Sequence, residues 1–159
     1  MSRVLVVGFL LVGLVGGVAR AGAREDQLWQ AVRSHEREAI KALLAAHANP
    51  NAALPDKSTA LAWAVNHQDE PSVRLLLKAG AKPDLLDIDG ASPFMLACEL
   101  GDPAIVADLL KAGADAKASR PDGISALALC AGISSPAVVE QVLAKGADVN
   151  AADLKGQTP

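Results

Sequence analysis

Aromatic residues are almost missing from this chain: 159 residues include two Trp, two Phe and no Tyr. A core without rings must be built from Leu, Val, Ile and Ala, and alanine is the small residue that close-packed helices need. A basic excess is also missing, with 15 Lys and Arg against 18 Asp and Glu. Arg3 and Arg20 fall in an N-terminal segment that holds no acid, so beyond it 13 basic residues face 18 acidic ones, a net charge of −5. That balance argues against a nucleic-acid binder, which would be expected to show a basic stripe, and it offers no polybasic membrane patch. Histidine is limited to His35, His47 and His67, and no carboxylate or thiol completes a ligand set around them. Structural zinc takes four protein ligands, so neither a metal nor a cofactor is expected. His35-Glu36 has Ala39 where a zincin-type pair would need its second histidine. The serines stand at caps and turns, outside the strand-turn-helix setting of a nucleophile elbow, and no catalytic residue is assigned.

The one long apolar run is N-terminal. Arg3 precedes Val4 to Val18, and the small residues Ala19-Arg20-Ala21-Gly22-Ala23 offer cleavage after Ala21 or Ala23. Residues 1–23 therefore read as a secretory signal peptide, so the remaining chain is expected to be exported. The alternative, an uncleaved anchor, needs about 20 apolar residues, and this run is shorter and rich in glycine. No cysteine stands at the cleavage site for lipid attachment.

From there the chain repeats itself. A helix stop falls at His47, Gly80, Gly113 and Gly146, and a helix N-cap at Asp26, Thr59, Ser92, Ser125 and Thr158, each 33 residues after the last. The clearest unit is residues 88–118. Asp87-Ile88-Asp89-Gly90 predicts a turn, and Ser92-Pro93 caps and starts a first helix carrying Phe94, Leu96, Ala97 and Cys98. Gly101-Asp102-Pro103 then breaks it, and a second helix over Ile105 to Leu110 stops at Gly113.

A 33-residue period with this punctuation resembles the ankyrin repeat. Ser92-Pro93-Phe94 and Thr158-Pro159 stand where that family has Thr-Pro-Leu, and Lys145-Gly146-Ala147-Asp148-Val149-Asn150-Ala151 matches its inter-repeat segment. The resemblance implies an all-α ankyrin solenoid over residues 24–159. Its repeats span 24–53, 54–86, 87–119 and 120–152, with the start of a fifth over 153–159. The first repeat reads as a polar cap, with Leu28, Ala31 and Val32 buried on one helix and Ala39, Ile40, Leu43 and Leu44 on the other. His47 replaces its stop glycine at a cost of about 1 kcal/mol. The second turn, Pro55-Asp56-Lys57-Ser58, lacks the family's glycine. A solenoid needs a polar closing unit, so the apolar flank of the fourth repeat is expected to face water, be covered by a partner, or continue into further sequence.

Trp29 and Trp63 are expected to cover the seam between neighbouring helices, with a binding anchor as the sharper alternative. Cys98 and Cys130 fall in first helices of adjacent repeats. Helix axes pack about 8–10 Å apart whereas a disulfide needs Cα atoms within about 7 Å, so two buried thiols are expected, with a bridge only if both point inward at the seam.

The resemblance also implies where a partner lies: against the concave side made of turn tips and the exposed ends of the first helices. Carried over by position, this strip comprises Arg33, Ser34, Asp56, Ser58, Asn66, His67, Ile88, Asp89, Glu99, Leu100, Asp122 and Ile124. The expected function is an exported, noncatalytic module that binds another protein, and no nucleic acid or membrane once the signal is removed. The resemblance to small exported bacterial ankyrin proteins implies a periplasmic or secreted location, and a role either in supporting a catalase in oxidative-stress defence or in neutralising a toxin. A different expectation is the N-terminal part of a longer protein whose activity lies beyond residue 159. An enzyme would have to work through Ser34, His35 or His67.

Overall fold

A computed structural model describes residues 19–133 and 135–159, and the apolar run Val4 to Val18 lies outside them. Among the described residues eight helices form four antiparallel pairs: α1 (Ala19–Arg33) with α2 (Arg37–Ala45), α3 (Ala60–Asn66) with α4 (Glu70–Lys78), α5 (Pro93–Leu100) with α6 (Pro103–Lys111), and α7 (Ala126–Ile133) with α8 (Pro136–Ala144). Among the described residues no helix is long and apolar enough to cross a membrane. The first helices stack in one row and the second helices in another, and between them runs one buried core. Leu28, Ile40, Leu61, Leu76, Phe94, Ile105, Leu109 and Val138 are almost fully enclosed in it.

The hydroxyl caps work as the register requires. Thr59 accepts the Ala62 N–H at 3.2 Å, Ser92 that of Met95 at 3.2 Å, and Ser125 that of Ala128 at 3.1 Å, each contributing about 1 kcal/mol. Asp69 and Asp102 cap α4 and α6 in the same way. The expected cap at Asp26 is corrected, because Asp26 lies inside α1, which already begins at Ala19. Ala19, Ala21, Ala23, Arg24 and Glu25 all favour helix, so no free helix terminus remains for Asp26 to cap.

Three columns of left-handed backbone recur with the 33-residue period among the described residues. The first follows the first helix: His35 (φ 55°), Gln68 (φ 52°) and Gly101 (φ 72°). The second holds the stops: His47 (φ 62°), Gly80, Gly113 and Gly146. The third is the turn tip: Lys57 (φ 62°), Gly90, Gly123 and Gly156. Successive turns stack through backbone hydrogen bonds, with the Ile88 N–H donating to Asp56 O at 3.0 Å and the Leu154 N–H to Asp122 O at 3.2 Å. Pro121 has no N–H to offer Asp89. Its ring packs on Gly90 instead, where a Cβ would come within 2.5 Å of it.

Cys98 and Cys130 form a disulfide, which corrects the expectation of two buried thiols. Axis spacing was the wrong measure. One and two repeats earlier the same register positions hold Val65 with Ala97 and Val32 with Ala64, side chains small enough for facing backbones to approach. The two cysteine Cα atoms are 4.3 Å apart. At the far flank of the last repeat, Leu143, Val149 and Leu154 are exposed.

Candidate functional site

The first helices of the first two repeats bring together both tryptophans and two of the three histidines. Trp29 of α1 is buried and meets the Trp63 ring edge-on, with centroids 6.1 Å apart and planes at 89°. Its indole N–H is enclosed without an acceptor among the described residues. Trp63, half-buried on α3, stacks on His67 one turn later at 4.4 Å and 13°. The guanidinium of Arg33, at the end of α1, lies 5.2 Å from its ring centroid, within the reach of a cation–π contact. His67 is held by its Nδ1–H, which donates to the Trp63 carbonyl at 3.0 Å. The seam reading thus holds for both tryptophans, and Trp63 adds an exposed polar collar.

His35 ties the cluster to the next helix pair, its Nδ1–H donating to Asp69 Oδ2 at 2.8 Å. The same carboxylate accepts from the Ser72 hydroxyl at 2.7 Å. Burial acts to raise the Asp69 pKa, but the hydrogen bonds from His35 and Ser72 outweigh it and hold it below the ordinary 3.8. The stabilisation this gives is complete above that unfolded-state value and is lost as pH falls through the lower folded one. Ser34 lines a groove with Gln27, Gln30 and Glu36.

Of the strip predicted from sequence, Asp56, Ser58 and Asn66 converge on one hollow of about 160 Å³ between the second and third repeats. Ala62, Trp63 and Leu96 give it an apolar wall, and Asp87 contributes a second carboxylate. Arg33 and His67 border it through Trp63. Ile88 and Asp89 project from the third turn into solvent, with Ile88 68% exposed. Glu99 is ion-paired with Arg120, and Leu100 packs against the core. Ile124 lines another hollow with Ala128, Ala151 and Gln157, and Asp122 folds back so that its Oδ1 accepts the Ile124 N–H at 3.1 Å. The strip is therefore divided into separate patches, with Ser34 apart from all of them. Asp87 and Leu96 were missed, although the register offered a signal: Asp87 shares its column with Leu54, Arg120 and Asp153, which spans apolar, basic and acidic chemistry.

Asp56 is exposed, and hydrogen bonds from the Ser58 hydroxyl and N–H hold its carboxyl below the usual 3.8. Asp87 accepts the N–H groups of Asp89 and Ala91, both at 2.9 Å. Both carboxylates are thus oriented by their own turns.

No curated protein matches the chain. The family described as ankyrin repeats (3 copies) matches residues 28–120, more than half of the chain, from within α1 to beyond α6. With the 33-residue register, the caps and the stacked helix pairs already in place, the chain belongs to the ankyrin-repeat family, whose repeats generally act as noncatalytic modules that bind other proteins.

Proposed function

We propose that this protein is an exported binding module that docks a partner protein on its turn and first-helix face, centred on Trp63. The observation that carries the reading is the collar of Arg33, His67 and Asn66 around a half-exposed tryptophan in a chain with two. Trp and Arg are the residues most enriched at interface hot spots. Export is supported by the N-terminal sequence pattern and by the Cys98–Cys130 disulfide, since such bonds persist in oxidising compartments.

A photocrosslinking residue at position 66 should capture a partner in intact cells, and the same residue at Lys78 or Lys111, on the second helices, should not. Capture from the second-helix positions alone would sink the reading. Retention of the intact N-terminal segment on the protein, with the bulk of it in the cytoplasm, would remove export from it.

A further inference from the structure

The hollow between the second and third repeats differs in charge from the next one along. One repeat later, Glu99 and Arg120 occupy the register of Asn66 and Asp87, and they pair with each other. That junction carries its own cation. In the earlier hollow Asn66 is neutral and Asp87 stands in the register of Arg120. Asp56 and Asp89 share a register, so both junctions carry that carboxylate and the difference is the cation of the Glu99–Arg120 pair. Asp56 and Asp87 both use Oδ1 for the turn bonds, and among the described residues neither has an ion-pair partner. Lys57, in the same turn as Asp56, is exposed to solvent. The wall opposite the charge is apolar: Ala62, Trp63 and Leu96. The Trp63 ring already holds Arg33 and His67, so what it offers an incoming group is a surface for methylenes. At about 160 Å³ the hollow is smaller than the ~300–1,000 Å³ of small-molecule and cofactor sites, and it suits one long side chain.

We infer that this hollow receives a single arginine or lysine side chain from an extended segment of the partner, its stem along Ala62, Trp63 and Leu96 and its cation between Asp56 and Asp87. The inference rests on the concave-face reading above. In the neighbouring junction the chain supplies the same cation from Arg120, which shows that the register accommodates a guanidinium beside a carboxylate.

The test uses the purified protein and capped hexa-arginine as probe, with hexa-glutamate as control, at low ionic strength. Hexa-arginine should shift the NMR signals of the Asn66 side-chain amide and the Trp63 indole before those of the other turns, and hexa-glutamate should shift neither. Asp56→Asn with Asp87→Asn keeps an oxygen for each turn while removing both charges, and should weaken binding about tenfold, or ~1.4 kcal/mol. Asp122→Asn, outside the hollow, should change it less than about twofold. Asn66→Glu with Asp87→Arg copies the Glu99–Arg120 pair into the hollow and should abolish the local shifts, with an unchanged urea midpoint showing that the fold survives. Equal weakening by Asp122→Asn would show diffuse charge attraction and overturn the pocket, as would the absence of any shift at Asn66 and Trp63. A partner crosslinked from position 66 and still bound by the double Asn variant would overturn the pocket alone. Capture confined to the second helices would overturn the concave-face reading with it.

Discussion

Where the third and fourth repeats place Gly90, Gly101, Gly113, Gly123 and Gly146 in left-handed backbone, the first two hold His35, His47, Lys57 and Gln68, with Gly80 alone following the later pattern. Each of those four side chains costs about 1–2 kcal/mol in that conformation. At His35 the cost comes with a gain, because the imidazole reaches Asp69 and meets His67 at 6.1 Å. The seams differ in the same sense. The first two repeats are joined by a tryptophan pair and a histidine–aspartate bond, the third and fourth by a disulfide and a glutamate–arginine pair. One half of the solenoid is joined by side chains that also border the hollow, and the other by a buried disulfide and a partly exposed ion pair. The half with the strained backbone carries the candidate binding surface, as expected where local strain accompanies a functional site.

That contrast can be broken most severely at Trp29. Trp29→Ala should destabilise the protein by about 3–5 kcal/mol in urea unfolding, because it empties the largest side chain of the first seam, and the loss should appear first in hydrogen exchange of α1 and α2. The later half should respond next. Cys98→Val with Cys130→Ala restores the residue pair found one repeat earlier and removes only the crosslink, and should cost about 3–4 kcal/mol by the loop-entropy relation for a separation of 32 residues. An equal urea midpoint for this variant and the parent would mean the bond contributes nothing beyond its packing. The smallest effect sharpens the comparison by exchange at the turn tip. Lys57→Gly should stabilise by up to about 1 kcal/mol, whereas Gly90→Ala should destabilise, since its Cβ would have to displace the Pro121 ring.

The fold was legible because local signals repeat. Thr59, Ser92 and Ser125 cap, and the stops turn left-handed, because both effects depend on a few neighbouring residues. Asp26 failed as a cap because capping requires the helix to end there, and the alanines upstream let it continue. The disulfide was misjudged because axis spacing says nothing of how near two Cα atoms come when small residues face each other. The site was legible only as a strip. Its division into patches depends on cross-repeat partners, such as Arg120 for Glu99, and the hollow depends on Asp87 and Leu96, which lie 21 and 30 residues from Asn66 and meet it only through stacking.

The disulfide also alters how the molecule would bear tension. A solenoid pulled from its ends lengthens by peeling repeats in succession, but the chain between Cys98 and Cys130 is withheld from extension while the bond is intact. At about 3.5 Å per residue, that shortens the fully stretched protein by roughly 110 Å. The third and fourth repeats therefore stay clipped together when the first two have been drawn out, so force would act first on the half that carries Trp63.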